Sequence, residues 1–127
     1  MNPLFLTLDE VLALHEDQIA RYGGSGGIRD VGLLESALGS AAATFAGNFL
    51  NETLFEMAAA ILYGICRIHP FVDGNKRTAA ASALVFLDIN GIEVDADEEQ
   101  FYDLVIGVAE GRVTKSAVAV FLSDHGA

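Results

Sequence analysis

Two apolar segments of helical length, joined by one short polar loop, constrain the fold more than any other feature of the sequence. They lie at about residues 52–68 and 75–89. Each is apolar on nearly its whole circumference, which is typical of helices that other helices surround in a core. Pro70 cannot continue a helix, and a residue before proline is biased away from helical geometry. We therefore predict that the first segment ends near Ile68, that His69 leaves the helix, and that a turn separates two central helices.

Amphipathic segments on either side predict four further helices, at about residues 8–22, 31–38, 98–109 and 115–123. Thr7 and Glu10 have the spacing of a capping box, in which a hydroxyl and a carboxylate each satisfy a free backbone N–H. Thr114 is the expected cap of the last helix. An all-α, bundle-like fold of about six helices follows. A chain of 127 residues, 52% apolar, can bury such a core as a single domain, residues 1–127, without disulfides or a structural metal.

Three connecting segments are less regular. Residues 39–51 have no clear period, so a loop, a short helix or a flap over an active site all fit them. Residues 92–94 suit a short extended connector. The glycine run at residues 23–27 has the composition of a phosphate cradle, but it lacks the Lys-Ser/Thr of a P-loop and follows no buried strand. We expect that run to end the first helix.

Charge and composition exclude several functions. A net charge of −11 argues against nucleic-acid binding, because the phosphates would be repelled. No apolar stretch reaches about 18 residues, so no membrane span is expected, and the first residues do not have the pattern of a signal peptide. The single cysteine, Cys66, fits a reducing compartment and is expected to be a buried hydrophobe. We therefore expect a cytoplasmic protein that binds neither nucleic acid nor membranes.

Three of the seven lysines and arginines lie close to His69 in the sequence: Arg67, Lys76 and Arg77. Lys76 and Arg77 fall in the first turn of the second central helix, where the macrodipole disfavours cations and the backbone N–H groups have no partner within the helix. A bound anion would resolve that conflict, and helix N-termini are ready-made phosphate sites. The sequence therefore predicts a phosphate-binding site at this loop.

The other polar residues of the loop fit phosphate chemistry. His69 titrates near neutrality and can take a proton from a hydroxyl nucleophile. Asp73 offers the hard oxygen ligand that Mg²⁺ prefers. Gly74 permits a tight turn and close approach of a ligand, and Asn75 can orient the loop or contact a phosphate oxygen.

Each of these residues also has a purely structural interpretation. His69 fits a surface turn, Asp73 fits a cap of the second central helix, and the two cations fit solvated charges. Phe71 is expected to anchor the loop in the core. The occurrence of so many functional groups within nine residues favours the functional interpretation.

The loop from His69 to Arg77 resembles the signature of the Fic/Doc family, His-x-Phe-x-Asp/Glu-Gly-Asn-x-Arg, at every fixed position. Four stretches resemble the death-on-curing (Doc) branch in particular: residues 12–24 (LALHEDQIARYGG), 29–38 (RDVGLLESAL), 75–87 (NKRTAAASALVFL) and 107–122 (GVAEGRVTKSAVAVFL). Fic enzymes that transfer AMP have glycine at the position of Lys76 and a second arginine at the position of Ala80. Both of these differences from the AMP-transferring enzymes are typical of Doc proteins.

This resemblance implies a compact helical fold and a toxin that transfers the γ-phosphoryl group of ATP, with Mg²⁺, to a threonine of translation elongation factor Tu. Translation would then stop. The implied partner is a Phd-like antitoxin, whose disordered C-terminal segment folds onto the toxin and neutralises it.

The same resemblance implies a role for each residue of the loop. His69 would be the general base, and Asp73 would hold Mg²⁺. The triphosphate would be bound by Gly74, Asn75, Lys76 and Arg77, with one of the two cations stabilising charge in the transition state. Arg67 is a weaker candidate for the same role.

Two other functions fit the same loop. One is transfer of AMP to a protein hydroxyl, as in true Fic proteins, against which Lys76 and Ala80 argue. The other is a catalytically silent module that keeps the loop for structure or for antitoxin contact.

Overall fold

The computed structural model describes all residues 1–127 and contains six α-helices and one short β-hairpin. The prediction of an all-α fold of about six helices is confirmed. No helix is both long enough and apolar enough to cross a membrane. The elements in chain order are α1 (Leu8–Tyr22), α2 (Val31–Ala41), β1 (Thr44–Phe45), β2 (Asn48–Phe49), α3 (Leu54–Ile68), α4 (Asn75–Ile89), α5 (Glu98–Ala109) and α6 (Lys115–His125).

Helix α3 is the centre of the molecule. It packs against α2, α4, α5 and α6, while α4 packs against α3, α1 and α5. The sequence predicted this arrangement from the apolar circumference of both helices. The residues of α3 that are buried are Met57, Ala58, Ala59, Ala60, Ile61, Leu62, Ile65 and Cys66. Because the α3–α4 loop joins the most deeply buried helix to its main neighbour, its two ends are fixed by the core.

Helix α1 begins at the predicted capping box. The Thr7 hydroxyl accepts from the Glu10 N–H at 3.2 Å, and the Glu10 carboxylate accepts from the Thr7 N–H at 2.9 Å. These hydrogen bonds, first the one from the Thr7 backbone, lower the pKa of Glu10. The predicted cap of α6 is also present, since the Thr114 hydroxyl accepts from the Ala117 N–H at 3.1 Å.

The irregular segment at residues 39–51 turns out to complete α2 and then form the hairpin. Helix α2 was expected to end near residue 38 but continues to Ala41, because Ala37 and Ala41 are buried on the face that packs against α3. The strands β1 and β2 pair antiparallel. The hairpin is tied to the core through Phe49, whose ring lies 5.9 Å from that of Phe5.

The connector at residues 92–94 is extended, as predicted. Glu93 and Ala127 exchange two backbone hydrogen bonds of 3.0 Å, and Val94 bridges to Gly126. Helix α6 accordingly runs to His125, beyond the predicted residue 123. The pairing with the connector holds the end of the chain against the end of α4.

Candidate active site

The α3–α4 loop, which carries most of the predicted site residues, begins at a histidine in the left-handed conformation. Helix α3 ends at Ile68, and His69 is its C-cap with φ 53° and ψ 61°. That conformation is uncommon for a residue other than glycine, and it turns the chain out of the helix, as predicted from Pro70. The imidazole of His69 is exposed, whereas Pro70 is buried.

The segment between α1 and α2 holds the start of this loop. The Arg29 side chain donates from Nε to the carbonyl of His69 at 2.7 Å and from Nη2 to the carbonyl of Ile68 at 2.6 Å. The backbone N–H groups of Arg29 and Asp30 both donate to the carbonyl of Pro70. A cation at a helix C-terminus is favoured by the macrodipole, so Arg29 stabilises both the end of α3 and the backbone of His69.

The middle of the loop is anchored in the core by Phe71, as predicted. Phe71 is 1% exposed, and the ring of His15, itself 3% exposed, stacks on it with centroids 3.8 Å apart and an interplanar angle of 6°. His15 Nε2 lies 2.8 Å from the carbonyl of Asp73. Because a carbonyl only accepts, His15 must donate from Nε2. Asn75 closes the turn by accepting from the N–H of Phe71 and donating to its carbonyl, both at 3.0 Å.

The carboxylate of Asp73 lies against the glycine run. Its Oδ1 accepts from the N–H of Gly74 at 2.8 Å, and its Oδ2 accepts from the N–H of Ser25 at 3.2 Å. A Cβ on Gly24 would lie 2.6 Å from Oδ2, so only glycine fits beside the carboxylate. The glycine run does end α1, as predicted, because the N–H of Gly23 donates to a carbonyl of its last turn.

Helix α4 begins without a side-chain cap. Its N-cap is Gly74, with φ 76°, and its first turn contains no acidic residue. The interpretation of Asp73 as the cap is therefore wrong. The N–H groups of Asn75, Lys76 and Arg77 have no partner within the helix, which leaves the positive end of the α4 dipole available to an anion.

These groups border one cavity of about 320 Å³. Neither of the two ion pairs in the structure includes Lys76 or Arg77. The cavity therefore combines unpaired cations, an uncapped helix N-terminus and one carboxylate, and these groups suit a metal-bound phosphate. It is lined by Asp73, Gly74, Asn75, Lys76 and Arg77 together with Tyr22, Gly23, Gly24 and Tyr102.

Two predicted site residues do not line this cavity. The guanidinium of Arg67 donates to the carbonyls of Val108 and Ala109 at 3.4 and 3.3 Å and so caps the end of α5. It lines a different cavity, on the side of α6. The geometry thus gives Arg67 a structural role and does not bring it to the residues expected to bind a triphosphate. His69 lies on the loop before the cavity, with its imidazole open to solvent.

Asp73 suits a Mg²⁺ ion that is shared with a phosphate. No three His, Cys, Asp or Glu side chains cluster in the way that an all-protein metal cage needs. In phosphate-transfer sites Mg²⁺ takes one or two carboxylates and completes its shell with phosphate oxygens and water. The exposed Asp73 carboxylate keeps lone pairs free beyond its two backbone contacts, and Gly24 leaves space beside it.

Cys66 takes no part in this chemistry. Its side chain is fully buried. Burial raises the pKa of its thiol to about 12, although Lys76 and Arg67 oppose the shift. A thiol in that state is not a nucleophile at neutral pH, and the prediction of a buried hydrophobe is confirmed.

Comparison with known proteins adds a family and two relatives. The model of the Fic/DOC family matches residues 5–87, which include the loop and the segments that hold it. The protein kinase doc of Escherichia phage P1 is 42% identical over 111 residues, which cover 87% of this chain and 86% of that protein. The toxin Doc of Mycolicibacterium smegmatis (strain ATCC 700084 / mc(2)155) is 39% identical over 108 residues, covering 84% and 83%.

Proposed function

The chain belongs to the Fic/DOC family, and from this premise we propose that it is a Doc-type protein kinase acting as the toxin of a toxin–antitoxin module. One observation carries the proposal: the uncapped N-terminus of α4, its two cations and the Asp73 carboxylate all border one cavity. The family match and the names of the two relatives support the same function.

The cavity suits the phosphates of ATP. Backbone N–H groups at the start of α4 donate to phosphate oxygens, and Lys76 and Arg77 supply positive charge where negative charge develops in the transition state. Asp73 would hold Mg²⁺, which when bound neutralises charge on the β- and γ-phosphates. Asn75 contributes mainly by fixing the turn, because both polar atoms of its amide bond the backbone of Phe71.

His69 suits the role of general base. Its imidazole is exposed, so a hydroxyl of a protein substrate can reach it from solvent. The hydroxyl oxygen bonds to the γ-phosphorus while its proton passes to His69, and the bond between the γ-phosphorus and the β-phosphate oxygen breaks to release ADP. Arg29 and Pro70 keep the backbone of this histidine fixed.

Transfer of the γ-phosphoryl group is favoured over transfer of AMP. In the Fic pattern a second arginine occupies the position of Ala80. Here that side chain is 9% exposed and belongs to the core. Helix α4 therefore presents no second guanidinium beside Arg77, and Lys76 replaces the glycine of the AMP-transferring enzymes.

The proposed substrate is a threonine hydroxyl of a translation factor of the elongation factor Tu class. The proposed partner is a Phd-like antitoxin, and the proposed compartment is the cytoplasm, where ATP and translation factors occur together. The net charge of −11 opposes direct nucleic-acid binding.

A His69→Ala variant tests the proposal. We expect transfer of label from γ-labelled ATP to elongation factor Tu to fall by about 100-fold or more. ATP affinity should be unchanged, because His69 does not line the phosphate cavity. His125→Ala, a histidine at the end of α6, is the matched control and should keep full activity. A His69→Ala variant that still arrests growth without phosphorylating the factor would support the silent-module alternative, and one that still phosphorylates the factor would contradict the role of His69 as general base.

A further inference from the structure

Two of the three tyrosines of the chain lie against the guanidinium of Arg77. Cζ of Arg77 is 3.9 Å from the ring centroid of Tyr22 and 5.2 Å from that of Tyr102. Tyr22 is the last residue of α1, Tyr102 lies on α5, and Arg77 lies in the first turn of α4. Three helices thus converge on one cation.

Contact with an aromatic ring holds a guanidinium without using its hydrogen-bond donors. The π face attracts the cation, whereas the five N–H groups point outwards in the plane of the guanidinium. A carboxylate partner would occupy those donors instead. Arg77 belongs to neither ion pair of the structure, although the chain contains 18 acidic residues.

Carboxylates that could pair with Arg77 lie nearby. Arg77 and Tyr102 border a second cavity, of about 460 Å³, together with Asp97, Glu98 and Glu99 at the start of α5. An arginine that moved freely would be drawn to these acids. Tyr22, whose ring is the nearer of the two to Arg77, borders the phosphate cavity and not the acidic one, so its contact favours the side on which a phosphate binds. Tyr102 lies between the two cavities and borders both.

We propose that Tyr22 and Tyr102 are positioning residues that hold Arg77 at the phosphate cavity, with its donors available to a polyphosphate rather than to the carboxylates of α5. This inference rests on the phosphate-binding role proposed above for Arg77. The aromatic rings position Arg77, and the hydroxyl groups are not needed for this. Phenylalanine should therefore replace either tyrosine, and leucine should not.

Steady-state kinetics give the first test. Tyr22→Leu or Tyr102→Leu should raise KM for ATP by about two- to fivefold, and the double variant by about tenfold. The kcat should fall as well, because Arg77 also faces the charge of the transition state. Tyr22→Phe and Tyr102→Phe should behave like the unmodified protein. Tyr63→Leu is the matched control, because Tyr63 lies on α3 and lines another cavity. Leucine variants with an unchanged KM for ATP would overturn the inference. Phenylalanine variants whose KM is raised as much as that of the leucine variants would overturn it too.

Calorimetric binding of tripolyphosphate with Mg²⁺ separates this inference from the proposed function. The Tyr22→Leu/Tyr102→Leu pair is compared in the unmodified protein and in an Arg77→Ala background, with circular dichroism as the check on folding. We expect the two tyrosine substitutions to weaken tripolyphosphate binding only when Arg77 is present.

Each other outcome overturns a specific claim. Equal weakening in both backgrounds, or none in either, would show that the tyrosines do not act through Arg77, while the phosphate site itself stands. Absence of tripolyphosphate binding to the unmodified protein would overturn the phosphate role of the loop and this inference with it.

Discussion

Single residues from distant parts of the chain determine the geometry of the α3–α4 loop. His15 and Arg29 bond the loop backbone across 58 and 39–40 residues of sequence. Neither was predicted as a site residue, because periodicity and spacing describe only neighbours along the chain. Arg29 did carry a signal, since it is one of only seven cations in an acidic chain. The loop residues themselves were predictable because they are contiguous.

Gly24 is the position where a single methyl group should damage the site. A Cβ there meets the Asp73 carboxylate, and φ is +113°, which side chains rarely adopt. We expect Gly24→Ala to lower phosphoryl transfer by about 10- to 100-fold through displacement of Asp73. The measurement is the rate of label transfer at several Mg²⁺ concentrations.

Gly26→Ala is the control for that experiment. It lies in the same run, has nothing within 4 Å of an added Cβ and does not require a positive φ. Its activity should match that of the unmodified protein. Equal losses in the two variants would mean that the run acts through its flexibility rather than through contact with Asp73.

His15→Phe separates the stacking on Phe71 from the hydrogen bond to Asp73. The stack should survive, and the lost hydrogen bond should cost about 1 kcal/mol of unfolding free energy. We also expect kcat to fall about tenfold, because the carbonyl of Asp73 loses its restraint. Urea unfolding and label transfer measure the two effects.

A second histidine offers a close control for His15→Phe. His125 also contacts a phenylalanine ring, that of Phe121, with centroids 4.2 Å apart and a tilt of 31°, and its Nδ1 lies 2.8 Å from the carbonyl of the same residue, but it lies at the end of α6. His125→Phe should change stability without changing kcat. A His15→Phe protein with full kcat would contradict the role given to His15.

At the scale of helices and strands, local signals predicted some boundaries and tertiary packing decided the others. The bounds of α1, α4 and α5 agree with those predicted from the sequence, because signals such as the capping box of α1 act within a few residues. The end of α2 was wrong, since burial of Ala41 against α3 continues the helix past Gly39. The hairpin had too little pattern to be predicted, having only two residues in each strand.

The α1 capping box should be measurable in isolation. Thr7→Ala is expected to lower the unfolding free energy by about 1 kcal/mol, whereas Thr7→Ser keeps the hydroxyl and should have little effect. Because the box lowers the pKa of Glu10, its carboxylate contributes above the pKa of the unfolded chain, and this contribution is lost as the pH falls through the folded value. The difference in unfolding free energy between Thr7→Ala and the unmodified protein should therefore become smaller as the pH is lowered. A difference independent of pH would contradict the reciprocal box.

At the scale of the whole molecule, the arrangement of charge supports one anion site. In a chain of net charge −11, Lys76 and Arg77 remain unpaired at an uncapped helix end. Sequence proximity had grouped Arg67 with them. Arg67 precedes the turn, however, and the chain reverses after it, so it reaches α5 instead. The proximity of these cations in the sequence therefore indicated the loop, but it did not show which of them share a cavity.

Transfer of radiolabel from ATP tests the central claim most directly. The purified chain, free of antitoxin, is incubated with Mg²⁺, a bacterial lysate and ATP labelled at either the γ- or the α-phosphate. The account predicts that a protein in the lysate is labelled from γ and not from α. Labelling from the α-phosphate would mean AMP transfer and would contradict the interpretation of Lys76 and Ala80, and labelling from neither would contradict a protein kinase.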